Sequence, residues 1–132
     1  MKSFLVSLII SIIAALTPVI PIMCTVGFLI AADFIVGIYR AFKMKENISS
    51  RKMGNTVSKM LLYQITILSI FFFETYILDG VLPVTKIAAG LIATIEIKSI
   101  DESIETMTGV GVWKKIVKIL RRGNSTTKDF IQ

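Results

Sequence analysis

The sequence predicts an all-α integral membrane protein: three to four transmembrane helices, a basic cytoplasmic loop in the middle and a basic amphipathic helix near the C-terminus. Three observations predict it. Apolar residues make up 54% of the 132 positions and the mean hydropathy is +0.75, above the roughly 45–50% apolar content of soluble domains. Residues 3 to 32 carry no charge at all. The net charge of +6 is confined to segments between and after apolar runs, which fits anchoring on anionic lipid better than a nucleic-acid face.

The uncharged tract and its continuation to Tyr39, broken only by Asp33, exceed the roughly 20 residues that cross a hydrocarbon core. Thr17-Pro18-Val19-Ile20-Pro21 divides it, because each proline removes a backbone donor and biases the preceding residue away from helix. Two helices are expected, about 3–17 and 22–40, joined by a tight turn; a kinked single span is the alternative. A signal peptide fits less well, since no small-x-small cleavage site precedes a soluble domain.

A basic loop follows, with Arg40, Lys43, Lys45, Arg51, Lys52 and Lys59 against Glu46. Ser49-Ser50 before the basic pair reads as a helix N-cap. Met60 to Leu78 is the third span, with Tyr63 and Tyr76 as interfacial anchors. Asp79-Gly80-Val81-Leu82-Pro83 signals a turn. The fourth segment, 84–107, carries Lys86 and Glu96, and its end is expected to emerge into water with Ile97, Ile100, Ile104 and Met107 on one face. These elements form a transmembrane domain over residues 1–107. A cytoplasmic part, 108–132, begins with Thr108-Gly109-Val110-Gly111. It contains the helix Val112 to Arg122, with Trp113, Ile116, Val117 and Leu120 on one face and Lys114, Lys115, Lys118, Arg121 and Arg122 on the other. Gly123 to Gln132 is expected to fray.

Positive charge orients the chain. With residues 40–59 cytoplasmic, four spans put both termini on the same side as the loop. Three spans, with residues 1–21 partly in the interface, keep the loop and the tail inside as well.

Histidine is absent and Cys24 is the sole cysteine, which removes histidine acid/base catalysis, Cys-His nucleophiles and the common transition-metal sites. No Gly-rich phosphate loop occurs. An enzyme is therefore not expected, nor a cofactor, a metal or a nucleic-acid partner. The polar residues within the apolar segments, Asp33, Gln64, Thr66, Ser69, Glu74 and Thr94, are the candidates for helix packing or a lumen, with Gly37 as a site of close approach. Asp33 and Glu74 lie near helix ends, so the bland reading of both is an interfacial carboxylate. Arg40, Lys43, Lys45, Arg51, Lys52, Trp113, Lys114, Lys115, Lys118, Arg121 and Arg122 form the expected face toward anionic lipid or a partner. The acidic run Asp101 to Glu105 can pair with the basic helix or remain solvated.

Three stretches together carry a family resemblance: Asp33-Phe34-Ile35-Val36-Gly37, then Ile48-Ser49-Ser50 with Gly54 to Lys59, and Ile95 through Glu105 (IEIKSIDESIE). Their order resembles the bacteriophage holins of the family that includes clostridial toxin-secretion holins. There a D-apolar-apolar-x-G step ends one span, a basic S-S-x-x-x-G loop follows, and an acidic segment precedes a G-V turn and a basic helix. The resemblance covers residues 28 to 122, with Ile95 where asparagine is expected and Gly111 where proline is expected. It implies a homo-oligomer in the bacterial host cytoplasmic membrane that forms lesions, releases endolysin without necessarily touching it, and triggers host lysis. A non-lytic scaffold or antiholin-like regulator docking a cytoplasmic partner, and a toxin-export channel, are the alternatives.

Overall fold

The computed structural model describes the backbone of residues 1–129 and the side chains through residue 122. The chain forms five helices: α1 (Lys2–Leu16), α2 (Ile20–Lys43), α3 (Ser50–Tyr76), α4 (Val84–Thr108) and α5 (Val112–Asp129). No strand occurs among the described residues. By length and apolar composition α2 and α3 can each cross a membrane, and α1 is a shorter apolar helix.

The expected tight turn after residue 17 does not form a hairpin. Thr17 and Val19 both hold right-handed helical backbone, and Val19 N–H donates to Leu16. Pro21 sits in the first turn of α2, where a missing N–H costs nothing because that group has no intrahelical acceptor. A turn over residues 17–19 separates α1 from α2, and the two helices do not pack on each other extensively. None of α1's residues is buried, and only Leu16 at its end packs against the core.

α2, α3 and α4 form the bundle. α2 packs most extensively on α4, and α3 contacts both. Lys43 Nζ at the end of α2 reaches the Met107 carbonyl at the end of α4, 3.3 Å away, so these two helices run parallel with α3 antiparallel between their connections. The Ser49 side chain accepts from Lys52 N–H and caps α3, as the Ser-Ser signal predicts. This starts the helix ten residues before the expected span, which moves Lys59 from the loop into the bundle. The core is small: Val19, Val26, Ile30, Ile67, Ala89 and Ile92.

The expected apolar face at the end of α4 is not the buried one. Ile97 is exposed and Ile100, Ile104 and Met107 are half-buried. The residues that face inward are Thr85, Ala89, Ile92, Glu96 and Ser103, with half-buried Ser99 completing the spacing. These positions recur every three or four residues, the period of a helix seam.

Gly109 ends α4 in left-handed backbone at φ 75°, the conformation a helix C-terminus favours glycine for. α5 then continues beyond Arg122 to Asp129, so the frayed tail expected from 123 is helical backbone through 129; residues 130–132 lie outside the described residues.

Candidate functional site

A membrane-like helix bundle can bury small and polar side chains at its seams and leave bulky apolar ones outside, because lipid solvates them as well as a core does. This chain shows that pattern beside its small apolar core: Thr85, Glu96 and Ser103 are buried while many bulky apolar side chains are exposed. On α4, Ile87, Leu91 and Ile95 are exposed, Leu91 to 65%, while Thr85 and Glu96 are buried. Phe28, Ile35 and Phe42 on α2 and Leu61, Leu62 and Ile65 on α3 are likewise exposed.

At the centre of the seam three charges meet, one from each helix. Glu96 is 0% exposed, and its Oε2 lies 2.7 Å from Lys59 Nζ. Asp33 Oδ2 lies 3.6 Å from the same ammonium, with the Asp33 side chain 18% and the Lys59 side chain 32% exposed. Each of the three residues lies nine to twelve positions from the basic end of its helix, roughly 14–18 Å at a rise of about 1.5 Å per residue. They therefore form one layer. Two carboxylates share one cation, and Glu96 Oε1 has no hydrogen-bond partner among the described residues.

A second polar tie lies farther from the basic end. Gln64 Nε2 donates to the Met23 carbonyl at 3.0 Å. Gly27 makes this approach possible, since a Cβ there would stand 3.2 Å from the same nitrogen. Gln64 Oε1 is buried without a hydrogen-bond partner among the described residues.

Two helices are capped by the helix before them. Pro83 offers α4 no side-chain cap, and Glu74 Oε2 accepts instead from Thr85 N–H at 2.6 Å. Asp101 Oδ1 accepts from Val112 N–H at 2.7 Å and from Trp113 N–H at 3.3 Å. A carboxylate at a helix N-terminus satisfies an orphan donor and meets the positive end of the dipole. Glu105 also pairs with Lys114, and this hydrogen bond holds the Lys114 ammonium above its ordinary value. Gly111 admits the two carboxylates: a Cβ there would stand 3.2 Å from both Asp101 Oδ2 and Glu105 Oε2.

The structure brings Asp33, Gln64 and Glu74 to helix contacts. Asp33 is a half-buried carboxylate beside the basic Lys59, in keeping with its bland reading, and it joins the cluster through that lysine, while Glu74 is a half-buried cap. Thr66, Ser69 and Thr94 are exposed and donate to carbonyls four residues back, so none lines the protomer's interior. Gly37 has nothing within 4 Å of where a Cβ would stand; it borders a cavity instead of a close contact. Among the expected lipid-facing residues, Arg40 is half-buried, and Lys43, Lys45, Arg51, Lys52, Trp113, Lys114, Lys115, Lys118, Arg121 and Arg122 are exposed. Lys59, Glu96 and Gly27 are functional candidates that composition and interface rules pass over. Their signal is the seam spacing on α4 and a glycine inside an apolar span.

The fold and this seam define an all-helical protein with two helices long and apolar enough to cross a membrane, which suggests membrane association. Comparison with protein-family models, curated proteins and solved structures finds no match to the chain.

Proposed function

We propose that this chain is a holin-like lesion former of the bacterial cytoplasmic membrane, which associates with copies of itself and releases a cytoplasmic muralytic enzyme. The observation that carries the reading is this burial pattern: bulky apolar side chains outside, and a seam of Thr85, Glu96, Ser99 and Ser103 inside with Lys59 and Asp33. A lone bundle of this kind is compatible with lipid. Exposed Thr66, Ser69 and Thr94 are polar atoms on its outer surface that gain further partners when helices of several copies associate.

In this reading α2, α3 and α4 cross the membrane, with the 44–49 connection and α5 on the cytoplasmic side as the positive-inside rule requires. α4 lacks the long, sparsely charged apolar stretch of α2 and α3 because it carries six charged residues; all but Lys86 lie toward the basic end, and its fully buried charge, Glu96, is paired with Lys59. α1 is apolar apart from Lys2 and a stripe of Ser3, Ser7 and Ser11; when it crosses as a fourth span the N-terminus is cytoplasmic. A single cysteine at Lys2 or at Ser50, in a Cys24→Ser background, tests this: equal accessibility from the cytoplasm means four spans, opposite accessibility three.

Inducible expression in bacteria is expected to collapse the membrane potential abruptly after a delay and to release a co-expressed endolysin. Steady growth with an intact potential would refute the proposal. A non-lytic scaffold is the second reading, favoured by the fixed start of α5 on α4 with Lys115, Lys118 and Arg121 exposed. It predicts a soluble partner that co-purifies and is lost when Lys114, Lys115 and Lys118 are changed to Glu. A toxin-export channel differs from the lesion former mainly in its cargo.

A further inference from the structure

A cavity of about 210 Å³ lies at the basic end of the bundle, where α2, α3 and α4 meet. Its polar wall is Asp33, Arg40, Lys52, Thr56, Ser99 and Ser103. Arg40 is half-buried, and its Nε is buried without a hydrogen-bond partner among the described residues. No ion pair to the guanidinium occurs among the described residues.

Several hydroxyls on α3 and α4 are already committed to backbone carbonyls. Thr56, Thr66, Ser69 and Thr94 all donate to the carbonyl four residues back. Ser99 and Ser103, one turn apart on α4 and both in the cavity wall, make no such bond among the described residues, although Ser103 is buried. An unpaired guanidinium and two uncommitted hydroxyls on one cavity are the donors an oxyanion accepts from. Lys52 adds a second cation, loosely held by Glu46 at 3.9 Å. The one carboxylate in the wall, Asp33, is offset by Lys59 at 3.6 Å.

We propose that this cavity binds a phosphate group, that of an anionic phospholipid whose glycerol backbone rests on the apolar wall of Phe34, Ile38, Ile48 and Met53. This rests on the membrane reading, which places the cavity at headgroup depth. The apolar half of the wall favours a lipid over free phosphate, which has no apolar part to bury. Gly37 leaves open space where a Cβ would stand and borders the cavity, so a side chain there fills the site without changing charge.

Native mass spectrometry of the full-length protein in detergent, titrated with phosphatidylglycerol or with inorganic phosphate, tests the proposal. Arg40→Gln and the Ser99→Ala/Ser103→Ala pair are each expected to weaken phosphatidylglycerol binding at least about tenfold, the effect of losing one or more hydrogen bonds to a charged group, and Gly37→Leu is expected to weaken it by filling the site. Lys86→Gln, at the opposite end of α4 from the cavity, is expected to leave it unchanged. Competition by millimolar inorganic phosphate would keep the oxyanion site and reassign its ligand to the soluble anion. Wild-type affinity in the serine pair and in Gly37→Leu, with loss in Lys118→Gln, would overturn the site in favour of diffuse surface charge. Helical circular dichroism selects the folded variants, and the serine pair, which removes only two oxygens, decides if Gly37→Leu does not fold. Co-sedimentation of the wild type with phosphatidylglycerol vesicles separates the two failures. A chain that binds vesicles but is indifferent to the cavity variants defeats the pocket alone, and one that binds no vesicle defeats the membrane reading.

Discussion

Lys59→Met is the substitution that tests the charge cluster most directly. It leaves Glu96, which is 0% exposed, buried beside Asp33 with no cation between them. Removing one partner of a buried pair costs about 3–5 kcal/mol, because the remaining charge is desolvated and uncompensated. Lys59 is one-third exposed, so water reaches the site and the lower end, about 3 kcal/mol, applies. Asp33→Asn acts on a longer, wetter contact of 3.6 Å and is expected to cost about 1 kcal/mol or less. Replacing both members, Lys59→Met with Glu96→Met, removes the charges together and is expected to recover most of the loss, since well-packed apolar pairs often match buried ion pairs. The assay is reversible unfolding in mixed detergent micelles, read as a double-mutant cycle. A Lys59→Met loss under about 0.5 kcal/mol, the size of ordinary surface substitutions, would refute the claim that the cluster ties α3 to α4. So would a double variant as unstable as the sum of the singles.

Three further outcomes are expected. Gly27→Val drives a side chain toward Gln64 Nε2, already 3.2 Å from a Cβ position, and should destabilise the α2–α3 contact by about 1–3 kcal/mol in the same unfolding assay. Asp101→Ala removes the acceptor of the Val112 and Trp113 N–H groups and should weaken the start of α5 by about 0.5–2 kcal/mol, seen as faster amide exchange at those two residues with the bundle unchanged. The Glu105–Lys114 pair raises the lysine value in the folded chain. Its contribution is therefore complete below the ordinary lysine value and lost as pH rises through the raised one, so exchange in α5 should accelerate only at strongly alkaline pH.

Helix ends were legible where they have local chemistry. Ser49 caps α3 and Gly109 stops α4 because a hydroxyl acceptor and a left-handed residue act within one turn of the chain. Charge asymmetry was legible for the same reason: it needs only the order of residues. The prolines misled, because their effect depends on position. Pro21 falls in the first turn of α2, where proline is tolerated, and the turn before it does not pack α1 extensively against α2. The two long-range caps escaped notice because the carboxylate and the N–H it serves are eleven residues apart, across a turn whose geometry no local rule supplies.

The sequence by itself determined an all-helical chain, the apolar segments and the side on which positive charge collects, since these follow from composition and from hydrogen bonding within a few residues. Only the tertiary structure decided which polar residues meet. Where the outside of a bundle is as apolar as its inside, hydrophobicity does not choose a helix's inward face. Shape and pairing do, and they turn Glu96, Ser99 and Ser103 inward while Ile97 faces out. They bring Asp33, Lys59 and Glu96 into one layer from three helices, because an uncompensated charge there would cost more than any apolar contact it displaced.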